Sequence, residues 1–158
     1  MVSAGAMAQP ERARRAPVAP AEPVVVELFT AQGYSGCPQA NAVVETLSER
    51  PGVIALTYAV DYWDYLGWPD TFAKPEFAER QRSYQSALRV RNIYTPQIII
   101  DGHVQMPGSE ETAVQAAVNL EGERRAYPPQ IEFRGSGDQV GIGSGRAPQG
   151  GAEVWIVR

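Results

Sequence analysis

Two apolar runs bracketing one segment of helical period constrain this chain most. Val24 to Phe29 is apolar and β-branched but for Glu27, as expected of a strand buried on both faces. A Gly-containing turn follows, and Pro38 suits the first helical position, which makes Cys37 the predicted N-cap. Ala40, Val43, Val44 and Leu47 then recur at helical spacing until Pro51-Gly52 stops the run, and Val53 to Val60 is a second apolar strand. Strand, helix and strand make a βαβ unit, whose strands should be parallel with a right-handed crossover.

The remaining elements read in order. Asp61 to Asp70 is a polar-aromatic loop. It leads to a second helix from about Pro75, with Phe77, Gln81, Tyr84 and Leu88 on one face and Glu76 and Glu79 in its first turn. After Tyr94-Thr95-Pro96 the chain reads as a hairpin, Gln97 to Ile100 and His103 to Met106 about the turn pair Asp101-Gly102. Ser109 is the expected cap of a third helix, with Ala113, Ala117 and Leu120 on one face and Gly122 at its end. The order β-α-β-α-β-β-α is the thioredoxin topology, an α/β fold. The expected boundaries are a leader and Pro/Arg-rich linker over 1–22, the α/β domain over 23–126 and a β subdomain over 127–158.

Composition narrows the partners. A chain of 158 residues builds a core without a metal or disulfide staple. A formal charge of −4 with scattered Arg gives no basic stripe, which speaks against nucleic acid as a partner. No apolar run reaches the roughly 18 to 20 residues of a membrane span. His103 is the only histidine, so no His-based cluster can form, and it reads as an exposed strand residue. The Gly-x-Gly runs of Gly135 to Gly145 lack a following helix and read as turns. No residue set calls for a cofactor.

Chemistry concentrates at Gln32-Gly33-Tyr34-Ser35-Gly36-Cys37-Pro38. A thiol at a helix start lies at the positive end of the macrodipole, where a thiolate is favoured. Tyr34 occupies the position where a C-x-x-C site carries its attacking sulfur. A phenol of pKa near 10 has no sulfur to bridge and is mostly protonated at neutral pH, so the dithiol cycle is closed to this chain. Two readings of Cys37 stand side by side: a small buried hydrophobe, or a monothiol that forms a mixed disulfide with glutathione or another chain. Glu27 should either face solvent or lie buried near the site as a proton shuttle for a resolving thiol.

Together, Val25-Glu27-Leu28-Phe29-Thr30, Gln32-Gly33, Cys37-Pro38, the run Val60-Asp61-Tyr62-Trp63-Asp64-Tyr65-Leu66-Gly67-Trp68 and Tyr94-Thr95-Pro96-Gln97 resemble the secreted thioredoxin-like family classed as domain of unknown function 1223. The resemblance covers about residues 23 to 158. Members typically read Gln-Gly-Cys-x-x-Cys-Pro at the site, which implies a thiol-disulfide oxidoreductase site half lost here. It also implies a cis-proline at Pro96 opposite the site helix, with the backbone at Thr95 pairing an extended peptide by strand addition. The peptide-binding candidates are therefore Tyr34, Ser35, Gly36, Thr95 and Pro96. Of the four aromatic rings in the loop after the second strand, at least two are expected to pack on the sheet and the rest to form a contact patch.

Both ends read as cut. Ala6 and Ala8 give the small-x-small pattern of a signal-peptidase site without the regions that should precede it, so the expected location is secreted or periplasmic. Pro10, Pro17, Pro20 and Pro23 then punctuate an extended linker. Gln130 to Arg134, Gln139 to Gly143 and Ala152 to Val157 read as three short strands, the last stopping without a turn as if the domain continued. The function expected is a peptide- or protein-binding module that has lost oxidoreductase activity, the alternative a monothiol redox protein working through Cys37.

Overall fold

A computed structural model describes residues 23–124, 131–134 and 139–143. The linker, the predicted strand over 152–157 and the boundaries at 22 and 126 fall wholly or partly outside those residues.

The βαβ unit is formed by β1 (Val24–Thr30), α1 (Cys37–Ser48) and β2 (Val53–Ala59), with β1 and β2 parallel in register from Val24↔Val53 to Thr30↔Ala59. α2 (Pro75–Ala87) follows a single 3₁₀ turn at Asp64–Leu66. β3 (Gln97–Ile100) then pairs antiparallel with both β1 and β4 (Val104–Pro107), giving the sheet order β2-β1-β3-β4. α3 (Glu111–Glu123) completes this thioredoxin-like fold, and β5 (Ile131–Arg134) pairs antiparallel with β6 (Gln139–Ile142) in a separate two-stranded sheet.

Alternation along β1 sorts the core into two layers. Val24, Val26 and Leu28 face α1 and α3 and pack with Ala40, Val43, Val44, Leu47, Val114 and Val118. Phe29 faces the other way, with Tyr58, Ala78 and Ile99, under α2. Because β1 is central and covered on both faces, six of its seven residues are buried.

Local expectations at three elements are corrected. α1 begins at Cys37 with Gly36 as its N-cap, so Cys37 is already helical. The hairpin uses Asp101 and Gly102 at φ 47° and 74°, but His103 closes the turn on the Ile100 carbonyl at 3.1 Å and pairing starts at Val104. His103 is thus a turn residue, its Nε2 2.8 Å from the buried Glu121 carboxylate, which Arg124 also reaches at 3.2 Å. In α3 the cap position is Glu110, and the buried face is Val114, Val118 and Glu121 while Leu120 is exposed. The two valines remove more apolar area than Ala113 would, which sets the helix phase. Gly122 lies within the helix, which runs one residue further.

Candidate functional site

The site grows out of the chain reversal between β1 and α1. The Tyr34 N–H donates to the Ala31 carbonyl at 3.4 Å and the Cys37 N–H to the Tyr34 carbonyl at 3.0 Å, which winds residues 31–37 into the helix start. Gly36 fits because a Cβ there would stand 2.9 Å from Tyr34 Cε1. Cys37 is 1% exposed, and its Sγ accepts the Ala31 N–H at 3.3 Å. Attack on a disulfide needs a sulfur that an incoming chain can reach. Ser35 beside it is exposed, Tyr34 and Gly36 half-buried.

Tyr34, standing where an attacking cysteine would stand, is built into an aromatic stack. Its ring lies on Trp63 at 4.4 Å and 13°, and Trp63 stacks in turn on Tyr65 at 6.2 Å. Tyr62 and Trp63 are half-buried, whereas Tyr65, Leu66, Trp68 and Phe72 are exposed. Among the described residues the buried Trp63 indole N–H has no hydrogen-bond partner. The aromatic loop is lashed to the reversal by Asp70, whose carboxylate accepts the Gln32 N–H at 2.7 Å and the Phe72 N–H at 2.9 Å. The Trp68 indole adds a bond to Gln32 Oε1 at 3.2 Å.

Opposite the helix start lies the Thr95–Pro96 bond, which is cis. The Pro96 carbonyl accepts the Gly108 N–H at 3.0 Å, and a Cβ on Gly108 would stand 2.9 Å from Ala40 Cβ, so a missing side chain lets this segment close on α1. Pro96 Cδ comes within 3.7 Å of where a Gly36 Cβ would be. Tyr34, Gly36, Cys37 and Pro96 are therefore one neighbourhood. Thr95 is buried, its hydroxyl joined to that of Tyr62. Tyr62 also donates to Gln81 Oε1 at 2.9 Å, and Gln81 Nε2 donates to the Tyr94 carbonyl and to Gln97 Oε1, both at 2.8 Å. Burial raises the Tyr62 and Tyr94 hydroxyls above the usual tyrosine range, which keeps them neutral donors.

Glu27 is not part of this neighbourhood. Its register partners Leu56 and Ile99 place it on the α2 face of the sheet, opposite the layer in which α1 packs. Arg80 holds its carboxylate at 2.5 and 2.9 Å, and the Tyr84 hydroxyl donates to it at 2.5 Å. The guanidinium lies over the Tyr58 and Tyr84 rings, 5.4 Å from each centroid. Hydrogen bonding to Glu27 raises Arg80, while burial first and the Glu27 bond second raise Tyr84. Glu27 therefore ties α2 to the sheet, away from the thiol.

Sequence reasoning missed Arg80 as the partner of Glu27 and the role of Gln81. Arg80 at i−4 from Tyr84 was the available signal, since both project from one helix face toward an acid in an apolar strand.

A family model described as a protein of unknown function, DUF1223, matches residues 25–158. The crystal structure of a protein from Agrobacterium tumefaciens superimposes with a TM-score of 0.70 at 36% identity, covering 82% of this chain and 60% of that one. This chain therefore spans about 60% of that protein's length. A Malassezia sympodialis thioredoxin aligns with a TM-score of 0.41 at 17% identity, over 65% of this chain and 80% of that chain. No curated protein matches this chain.

Proposed function

We propose that this chain, which belongs to the DUF1223 family of proteins of unknown function, is a thioredoxin-like domain that has lost the dithiol cycle and serves as a contact surface for an extended peptide of a protein partner. One observation carries the reading. The attacking position is filled by Tyr34, stacked on Trp63 at 4.4 Å, while the single thiol behind it is 1% exposed.

A dithiol site needs a first thiolate to attack a disulfide and a second thiol to resolve the product. Here the first sulfur is absent and the second is capped by the Ala31 N–H at 3.3 Å. Burial also argues against a mixed disulfide at Cys37, which would have to admit a second sulfur into the packed helix start. Beside Pro96 there remains a rim of Tyr34, Ser35 and Gly36. Aromatic rings give such a rim apolar area at low entropic cost, and exposed backbone can pair an extended segment. Because Thr95 is buried, its part is to fix the bend through Tyr62 and Gln81. The expected location is an exported compartment, on the Ala6 and Ala8 pattern of the sequence.

Two assays test the reading. In dithiothreitol-dependent insulin reduction the protein stays at background and Tyr34→Cys gains turnover. Wild-type turnover like that of a dithiol thioredoxin contradicts the proposal. In panning of a random peptide display library, enriched peptides lose about tenfold in affinity to Tyr34→Ala, the loss of one modest aromatic contact. A library that yields no site-dependent binder contradicts the binding half.

A further inference from the structure

The aromatic stack that starts at Tyr34 ends on an open ring. From Tyr34 it passes to Trp63 at 4.4 Å and from Trp63 to Tyr65 at 6.2 Å, steps that together match the reach of about three residues of extended peptide. Trp63 covers one face of Tyr65. The residue is nevertheless 76% exposed, so its other face is free, and Leu66 and Trp68 beside it are exposed as well. Grouped apolar surface of this kind marks a contact site.

Two carboxylates flank Tyr65 on its turn. The Asp64 N–H donates to the Asp61 carbonyl and the Gly67 N–H to the Asp64 carbonyl, both at 3.1 Å, and such i→i+3 winding sets Asp61 and Asp64 on one edge next to the tyrosine. Asp64 gives one oxygen to the Asp70 N–H at 3.1 Å. Its other oxygen and the whole Asp61 carboxylate have no partner among the described residues, although both side chains belong to half-buried residues. The nearby cations do not neutralise them. Lys74 lies over the Phe77 ring at 5.6 Å, and Arg82, whose charge acts on the Tyr62 hydroxyl, pairs with neither acid.

The same chain shows in its core what completes a set of tyrosine and carboxylate. Arg80 lies 5.4 Å over the Tyr58 and Tyr84 rings while its fork holds Glu27 at 2.5 and 2.9 Å. The loop presents the rings and the acids without the cation. We propose that the partner supplies it: an arginine of the bound peptide, about three residues from the part that meets Tyr34, lays its guanidinium on the open face of Tyr65 and reaches Asp61 and Asp64. The assignment gives the peptide a chemistry and rests on the binding surface proposed above. Arginine suits the set better than lysine, because a planar, weakly hydrated guanidinium can stack on a ring and bond a carboxylate at two points together.

Titrating the isotope-labelled full chain with N-acetylarginine amide isolates this contact from the rest of the peptide site. Amide resonances of Asp61 to Gly67 should move with a dissociation constant of about millimolar order, and N-acetyllysine amide should bind at least about threefold more weakly. N-acetylcitrulline amide, of the same shape without the charge, should leave them unmoved. Tyr65→Leu should abolish the arginine response, and so should Asp61→Asn with Asp64→Asn, in which asparagine keeps the oxygen that accepts the Asp70 N–H. In the display library, peptides that need Tyr34 should carry arginine above its library frequency. Exchanging that arginine for citrulline should cost about tenfold on the wild type and nothing on the double asparagine variant. Arginine and citrulline amides that act alike, an arginine response that survives Tyr65→Leu, or Tyr34-dependent peptides without arginine enrichment each overturn this proposal and leave the peptide surface standing. A library with no Tyr34-dependent binder overturns the surface itself, and the arginine contact with it.

Discussion

Glu27 shows how one buried charge is tolerated. Its carboxylate sits in the middle of an otherwise apolar strand, and Arg80 and Tyr84 satisfy both oxygens from α2. Removing the cation leaves an acid under-compensated in the core. Arg80→Ala should therefore cost about 2 to 3 kcal/mol, below the roughly 3 to 5 of a fully buried pair because a third of the Arg80 side chain is exposed. Urea unfolding at pH 7 measures it as a lower midpoint. An unchanged midpoint would mean the carboxylate escapes to solvent. Tyr34 and Cys37 illustrate the opposite case, a pair of positions set by identity and by environment: no sulfur at one, a buried sulfur at the other. Tyr34→Cys addresses only the first of these, so partial rather than full insulin reduction is the expected gain.

At the scale of elements, glycine and buried amides set the site. Gly108 lets the segment leaving β4 approach α1, and Gly108→Ala would push a methyl to 2.9 Å from Ala40 Cβ and 3.2 Å from Leu28 Cδ1. The expected cost is about 1 to 3 kcal/mol of stability from overpacking, read from the denaturation midpoint. Peptide affinity should fall with it, because Pro96 is bonded to Gly108. A stable variant with intact binding would separate that segment from the site. The strands of the four-stranded sheet and α1 were legible in the sequence because their apolar period was strong, as Val43, Val44 and Leu47 show, and α2 was marked by Pro75 and Glu76 at its start. The phase of α3 was not, since alanine marks either face weakly and the buried Glu121 depends on His103 and Arg124, distant or one turn away. The network from Thr95 through Tyr62 and Gln81 to Gln97 was equally hidden: no local pattern says that a glutamine in a helix bridges two loops. Tyr34 opposite a lone thiol was readable from spacing alone, whereas the burial of Thr95 was not.

For the molecule as a whole, the buried phenols define an alkaline limit. Tyr58, Tyr62, Tyr84 and Tyr94 are all raised above 10.0, first by burial and, for Tyr58 and Tyr84, further by Glu27. Each holds its proton more tightly folded than unfolded. Above about pH 10 the unfolded chain binds fewer protons than the native one, and stability falls as pH rises. The stabilisation is complete below about pH 10 and is lost toward the folded values, so thermal midpoints should be level in this respect from pH 7 to 9 and drop beyond about 10. Tyr84→Phe should make that drop shallower. The central claim, that the thiol behind Tyr34 is sealed rather than poised, is tested most directly by the rate at which Cys37 reacts with a chromogenic disulfide in the native protein and in urea. A sealed thiol reacts only through opening of the fold, at least about 10³-fold more slowly than in the unfolded chain. A native rate equal to or above that of the unfolded chain would contradict the account.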